Sequence, residues 1–266
     1  MKIVFLVLTA FFSIGINASN FVSMKIPQST NMVETPNIIV ALPPSYKSDT
    51  TKKYPVLFVL DGANNGELVN GMLQRLHLST GSKEHIIVGV TSSNRLRDFA
   101  PTVNRDPRGP VGEGGGGDKF LDFLETELIP RINTKYRTND HNVIAGHSIA
   151  GLLVIHSFQS RPNLFQGHLA FSPAVWWGKR ETSQATKKYV TTAKHIQNYL
   201  YMNIGSESGE MRQVYDSLAQ TILRNRNIDF NVRFDEFEHE GHDFTMAAGL
   251  YNSLKGLFKH QQKLGI

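Results

Sequence analysis

The stretch from residue 142 to residue 159 leaves few folds open. An apolar run at 142–145 passes through Gly146-His147-Ser148-Ile149-Ala150-Gly151 into a second apolar run at 149–159. A short apolar run, a tight turn around a serine and an apolar stretch of helical length together read as strand, elbow and helix. Such a turn pushes the serine into a strained backbone conformation and exposes its hydroxyl above the end of a sheet. The residues two places either side must be small, so that strand and helix can approach. Gly146 meets that need on one side. Ala150 stands where a second glycine is usual, and Gly151 follows one place later. Alanine still leaves room.

The rest of the chain repeats the same alternation. Residues 21–26 and 37–42 read as two early strands, the second stopped by Pro43-Pro44. Runs at 56–60, 86–90, 142–145, 168–171 and 199–204 are short and apolar, as expected of strands buried on both faces. A last, more alternating strand spans 232–237. Helical spacing predicts helices over 118–136, 149–159, 183–197, 210–226 and 245–260. In the first of these the apolar positions are Phe120, Leu121, Leu124, Leu128 and Ile132, with Asp118 able to cap the start. This order predicts an α/β fold with a mostly parallel eight-stranded sheet and helices on both faces. No repeat or linker divides the chain, so 19–266 is expected to be a single domain. The segment 107–117 (PRGPVGEGGGG) is too glycine-rich to hold a regular element. It reads as a surface loop or as a mobile rim over a site.

Composition removes several chemistries. The chain of 266 residues has no cysteine, which excludes a disulfide scaffold, a thiolate metal site, an iron–sulfur cluster and a cysteine nucleophile. Nothing in the sequence calls for a metal or a cofactor. The formal charge of +5, from 28 basic and 23 acidic residues, is scattered in short pairs such as Lys52-Lys53 and Lys187-Lys188. That dispersion speaks against a nucleic-acid partner. The first eighteen residues, MKIVFLVLTAFFSIGINA, have the layout of a secretory signal peptide cleaved after Ala18. The apolar run of about 14 residues is short of the roughly 20 needed to span a bilayer. The expectation is a periplasmic or secreted protein with no stable membrane association once the signal is removed.

A serine hydroxyl is a poor nucleophile near neutral pH and needs a base. On a sheet of this kind the partners follow in the order serine, acid, histidine. The base therefore belongs after the last strand, where 237–244 reads FEHEGHDF. His242 is the favoured residue and His239 the rival. The acid belongs after the preceding strand, where 205–210 reads GSESGE. Glu207 is the first carboxylate there. Glu210 is the alternative, although it also suits the first turn of the next helix. A serine–histidine pair without an acid is a third arrangement. Two backbone amides should receive the negative oxygen of the tetrahedral intermediate. One is that of Ile149. The other is that of Ala63, or of Gly62, in the loop after 56–60.

Six blocks, YPVLFVLDG, NRLRDFAPT, FLDFLETELIPRINTKYRT, IAGHSIAGL, FSPAVWW and NIGSESGEM, stand in this order. Together they resemble the putative esterase family of the esterase D / enterochelin esterase type, over nearly the whole chain. The resemblance implies an α/β-hydrolase without a large cap domain that cleaves carboxylic esters through an acyl-enzyme. Ser148 would be the nucleophile, Glu207 the acid and His242 the base. It further implies a small-molecule ester substrate, with trilactone siderophores the first expectation. The same family also holds acetyl, feruloyl and S-formylglutathione esterases. Two positions depart from it: Ala150 in the elbow, and Asp243, where many relatives have glycine. Arg95 and Arg97 would offer a cationic rim for an anionic substrate, or would pair internally with an aspartate such as Asp98. Trp176 and Trp177 would stack an aromatic acyl group, or would anchor the core. Acyl transfer to an alcohol and ligand binding without catalysis are the rival functions. The oligomeric state is left open.

Overall fold

β3 (Tyr54–Leu60) is buried along all seven of its residues. Val56, Phe58 and Leu60 enter one apolar cluster, while Leu57 and Val59 enter another. That is the period-2 alternation of a strand lying between two layers. Burying each such side chain is worth about 1.5–3 kcal/mol against leaving it in water. The computed structural model describes residues 21–107, 109–226 and 230–265. The expected signal peptide at 1–18 lies outside the described residues. Seven more strands join β3: β1 (Phe21–Met24), β2 (Asn37–Ala41), β4 (Ile86–Thr91), β5 (Thr138–His147), β6 (Gly167–Phe171), β7 (Tyr199–Ile204) and β8 (Asn231–Glu236). Their order across the single eight-stranded sheet is β1-β2-β4-β3-β5-β6-β7-β8. β1 and β2 are antiparallel to their neighbours, and every pairing from β4 to β8 is parallel. This is the mostly parallel sheet that the alternating pattern predicts.

Helices cover both faces. α1 (Gly62–Thr80) and α8 (Thr245–Lys263) lie on one, burying Val69, Leu73 and Leu76 against Leu250, Leu254 and Leu257. The other face carries α2 (Arg95–Phe99), α3 (Gly117–Phe123), α4 (Ile129–Lys135), α5 (Ile149–Ser160), α6 (Glu181–Thr192) and α7 (Gly209–Asn225). Among the described residues no helix is long and apolar enough to cross a membrane.

Three elements differ from their sequence patterns. α1 is not foreshadowed, because its first ten residues hold three glycines and three asparagines, all weak helix formers. Packing overrides that weakness: a Cβ on Gly62 would lie 2.3 Å from the Cα of Gly89 on β4. The helix expected over 118–136 runs from Gly117 to Lys135, with a π turn at Leu124–Leu128. Pro130 lacks an N–H and would clash with the carbonyl four residues back, so the widened turn accommodates it. The helix expected over 183–197 stops at Thr192. The hydroxyls of Thr191 and Thr192 bond back to the Lys187 and Lys188 carbonyls, which loosens the last turn.

The glycine-rich segment is tied down through Asn104, which is fully buried. Its side chain bonds to the Asp106 and Pro110 carbonyls and to the Asp106 amide, and its backbone pairs with Gly112 and Glu113. Gly112, Gly114 and Gly115 take positive φ, which is why glycine recurs there.

Candidate active site

In an open parallel sheet the crevice beyond the carboxyl ends of the strands is where side chains from different strands converge. Here β5 leads to Ser148, β6 to Ser172, β7 to Glu207, and the turn after β8 to His242. Ser148 has φ 60° and ψ −118°, a backbone region that non-glycine residues avoid. The elbow is compact. A Cβ at Gly146 would meet the Ala150 carbonyl carbon and oxygen at 2.7 Å each. Ala150 itself is accommodated, fully buried.

The structure brings Ser148, His242 and Glu207 into one hydrogen-bonded line. His242 Nε2 is 2.9 Å from Ser148 Oγ, and His242 Nδ1 is 2.8 Å from Glu207 Oε1. A carboxylate only accepts, so Nδ1 carries the proton and Nε2 faces the serine as acceptor. Burial pushes the Glu207 carboxyl up. Hydrogen bonds from His242, Ser172 and the amides of Glu207 and Gly205 outweigh that and hold it at about 2. Glu207 is therefore an anion at neutral pH. Glu210 is drawn elsewhere, into an ion pair with Arg180. His239 lies exposed in the turn before His242.

Two further side chains at the site escape sequence reasoning. Ser172 Oγ donates to Glu207 Oε1 and lies 3.1 Å from His242 Nδ1. The local signal for it is weak: a serine before Pro173 at the end of an apolar strand. His147 Nε2 bonds to the His242 carbonyl. Burial and the nearby His242 push His147 below the usual histidine range, although its bond to that carbonyl works the other way.

β3 and β5 are adjacent and parallel, their last paired residues being Val59 and Ala145, so α1, which follows β3, and α5, which follows β5, both start at the same end of the sheet. Gly62 and Ala63 are not in a loop; they open α1, immediately after Asp61 in the left-handed region at φ 52°. Ala63 is a corrected expectation, because its amide already donates to Thr91 Oγ1 at 2.9 Å. Gly62 and Ile149 are the first residues of α1 and α5. A helix leaves such amides without an internal partner, and its N-terminus favours negative charge.

Arg95 and Arg97 are engaged within the chain rather than free for an anionic substrate. Arg95 donates through Nε and Nη2 to the two oxygens of Asp61, at 3.2 and 2.8 Å. Arg97 does the same to Asp98, at 2.6 and 3.1 Å. These are bidentate staples, which fix loops through planar geometry. Trp177 is also a core anchor, 3% exposed, with its indole N–H donated to the Thr102 carbonyl at 2.7 Å. Trp176 is half-buried and lines a cleft of about 250 Å3 with Ser208, Glu210 and Met211, next to Glu207 in the chain. Among the described residues no group of three or more His, Asp or Glu side chains is arranged to hold a metal ion.

Comparison with known proteins bears on the family and the fold. The family model "Putative esterase" matches residues 29–256. The ferri-bacillibactin esterase BesA of Bacillus subtilis is 30% identical over 234 residues, covering 76% of this chain and 78% of that protein. An IroE-like serine hydrolase from Shewanella oneidensis superposes with a TM-score of 0.83 at 28% identity, over 90% of this chain and 80% of that one. The BES protein from Bacillus cereus shares the fold, with a TM-score of 0.78 at 24% identity, over 91% and 97% of the two chains. The chain belongs to the Putative esterase family and is a serine hydrolase of the esterase type.

Proposed function

We propose that this protein is an exported hydrolase of siderophore esters, trilactones first, working through an acyl-enzyme on Ser148. The observation that carries the reading is the Glu207–His242–Ser148 line, with the serine held in its strained elbow. His242 Nε2 takes the hydroxyl proton as Ser148 Oγ bonds to the ester carbonyl carbon. The amides of Ile149 and Gly62 receive the negative oxygen, each such donor being worth about 2.7–4 kcal/mol in the transition state. His242 then passes its proton to the departing alcohol oxygen. Water repeats the sequence and frees the acid. Glu207 remains ionised throughout, holds the imidazole tautomer and stabilises its charged form.

The substrate class is supported by the relative that is named for ferri-bacillibactin. The indole of Trp176, in the cleft that Met211 also lines, suits an aromatic acyl group. Export is supported by the apolar leader at 1–18.

A fluorophosphonate should label Ser148, and Ser148→Ala should abolish the label. The purified protein should then be given a ferric trilactone siderophore, acetylated sugars and p-nitrophenyl acetate, with products followed by mass spectrometry. Turnover of acetyl esters alone would overturn the siderophore reading. Absence of any label would overturn the acyl-enzyme. Protein recovered from the periplasm or medium should begin at Ser19. Intact Met1 in the cytosol alone would overturn export.

A further inference from the structure

We infer that Ser172 is a positioning residue for ester cleavage: its hydroxyl locks the Glu207 carboxylate and closes a triangle with the Nδ1–H of His242. This rests on the relay reading above and adds a fourth member to it.

Glutamate has one more rotatable bond than aspartate. Its carboxylate keeps a single orientation only if both oxygens are held. Oε2 accepts the Gly205 amide at 2.6 Å. Oε1 accepts His242 Nδ1–H at 2.8 Å and the Ser172 hydroxyl. Because the carboxylate is acceptor-only, the serine proton points at Glu207 and an oxygen lone pair faces the imidazole N–H at 3.1 Å. Each of the three atoms thus fixes the other two.

The backbone is built to put that hydroxyl there. Ser172 is fully buried and takes φ 39°, in the left-handed region that favours glycine. Its amide is bonded to Asn203 twice, to Oδ1 at 2.9 Å and to the carbonyl at 3.1 Å. Asn203 is itself buried, and its Nδ2 donates to the Thr245 carbonyl at 2.7 Å. Thr245 Oγ1 bonds in turn to the His242 carbonyl. One asparagine on β7 therefore couples the Ser172 turn to the segment that carries the base. A position with no task for its hydroxyl would be better served by glycine, whose φ is free.

That same argument supplies the test. Ser172→Gly removes the hydroxyl and relieves the backbone, so the variant should fold. Ser172→Ala removes the hydroxyl and keeps the strain. With p-nitrophenyl acetate, kcat should fall roughly 10- to 30-fold in both variants, the scale of a lost hydrogen bond to a charged group, with KM within about twofold. In a Glu207→Gln background, where the anion is gone, adding Ser172→Gly should cost less than about twofold, because residues that act as a unit are not additive. An unchanged kcat in Ser172→Gly, or a full additive loss in the double variant, overturns the inference. The failures are distinguishable. If Glu207→Gln alone keeps the parent kcat, the acid assignment falls and takes this inference with it. If Glu207→Gln is slow and Ser172→Gly is not, only the role of Ser172 falls.

Discussion

His147 holds the backbone of His242: its Nε2 lies 2.8 Å from the His242 carbonyl oxygen, and the two rings sit 4.6 Å apart, tilted by 44°. A carbonyl only accepts, so His147 carries its proton on Nε2. The residue before the nucleophile thereby fixes the base from behind. His147→Phe keeps a ring in contact and removes the bond. Steady-state kinetics on p-nitrophenyl acetate should show kcat lowered about 3- to 10-fold, in line with one neutral hydrogen bond, with KM little changed. Parent-like kcat in that variant would show the bond to be idle.

Trp176 and Trp177 should behave differently although they are neighbours. Trp176→Ala opens the cleft wall beside Met211 and should raise KM for aryl-acyl esters about tenfold, while acetyl esters are unaffected. Trp177→Ala removes a buried indole and should cost about 3–5 kcal/mol of stability, read by denaturant melts. Equal effects of Trp176→Ala on both ester classes would exclude stacking.

Gly62 is where α1 meets β4. Gly62→Ala drives a methyl to within 2.3 Å of the Gly89 backbone, which no side-chain rotation relieves. The variant should lose several kcal/mol or fail to fold, and surviving protein should have a low kcat because the amide proposed to receive the oxyanion is displaced. Gly71→Ala, in open surroundings on the same helix, should be neutral or slightly stabilising in a parallel melt.

Acid should destabilise the fold through histidines buried as neutral rings. Burial pushes His85 and His168 down to about 3, and His141 down to about 4. The unfolded chain takes up these protons as pH falls below about 6.5, while the folded chain refuses them. Their contribution is therefore complete above about pH 6.5 and is lost progressively as pH falls to about 4 for His141 and to about 3 for His85 and His168. Glu207 follows later. Its carboxyl is held at about 2, so its contribution is complete above the ordinary carboxylate range and is lost progressively as pH falls from that range through about 2. His168 packs edge-on against Phe158 and Phe165, with no hydrogen-bond partner. It should account for about 2 kcal/mol of the loss between pH 7.5 and pH 5. His168→Leu should narrow the difference in melting temperature between those two pH values. A parent protein that melts identically at both would refute the account.

Much of the architecture is legible in local pattern. The apolar runs at 56–60 and 86–90 fall within β3 and β4, because strands buried on both faces have no polar positions to blur them. α1 is illegible for the opposite reason. Its glycines and asparagines mask a narrow stripe of Val69, Leu73 and Leu76 that matters only once β4 and α8 lie beneath it. Glu207 and Glu210 are three residues apart, either side of the start of α7, and spacing does not choose between them. The fold does, by turning Glu210 to Arg180 and Glu207 to His242.

By itself the amino-acid sequence determined the alternation of strands and helices, the elbow around Ser148, and the order in which serine, acid and histidine follow. These are consequences of steric and periodic rules that act within a few residues. Only the tertiary structure decided that Ser172, His147 and Asn203 surround the relay, that Ala63 is spent on Thr91, and that both arginines are staples. Ser172 and His147 reach His242 across 70 and 95 residues of chain. No local rule spans such separations; the register of β5, β6 and β7 does, because it sets the ends of neighbouring strands side by side.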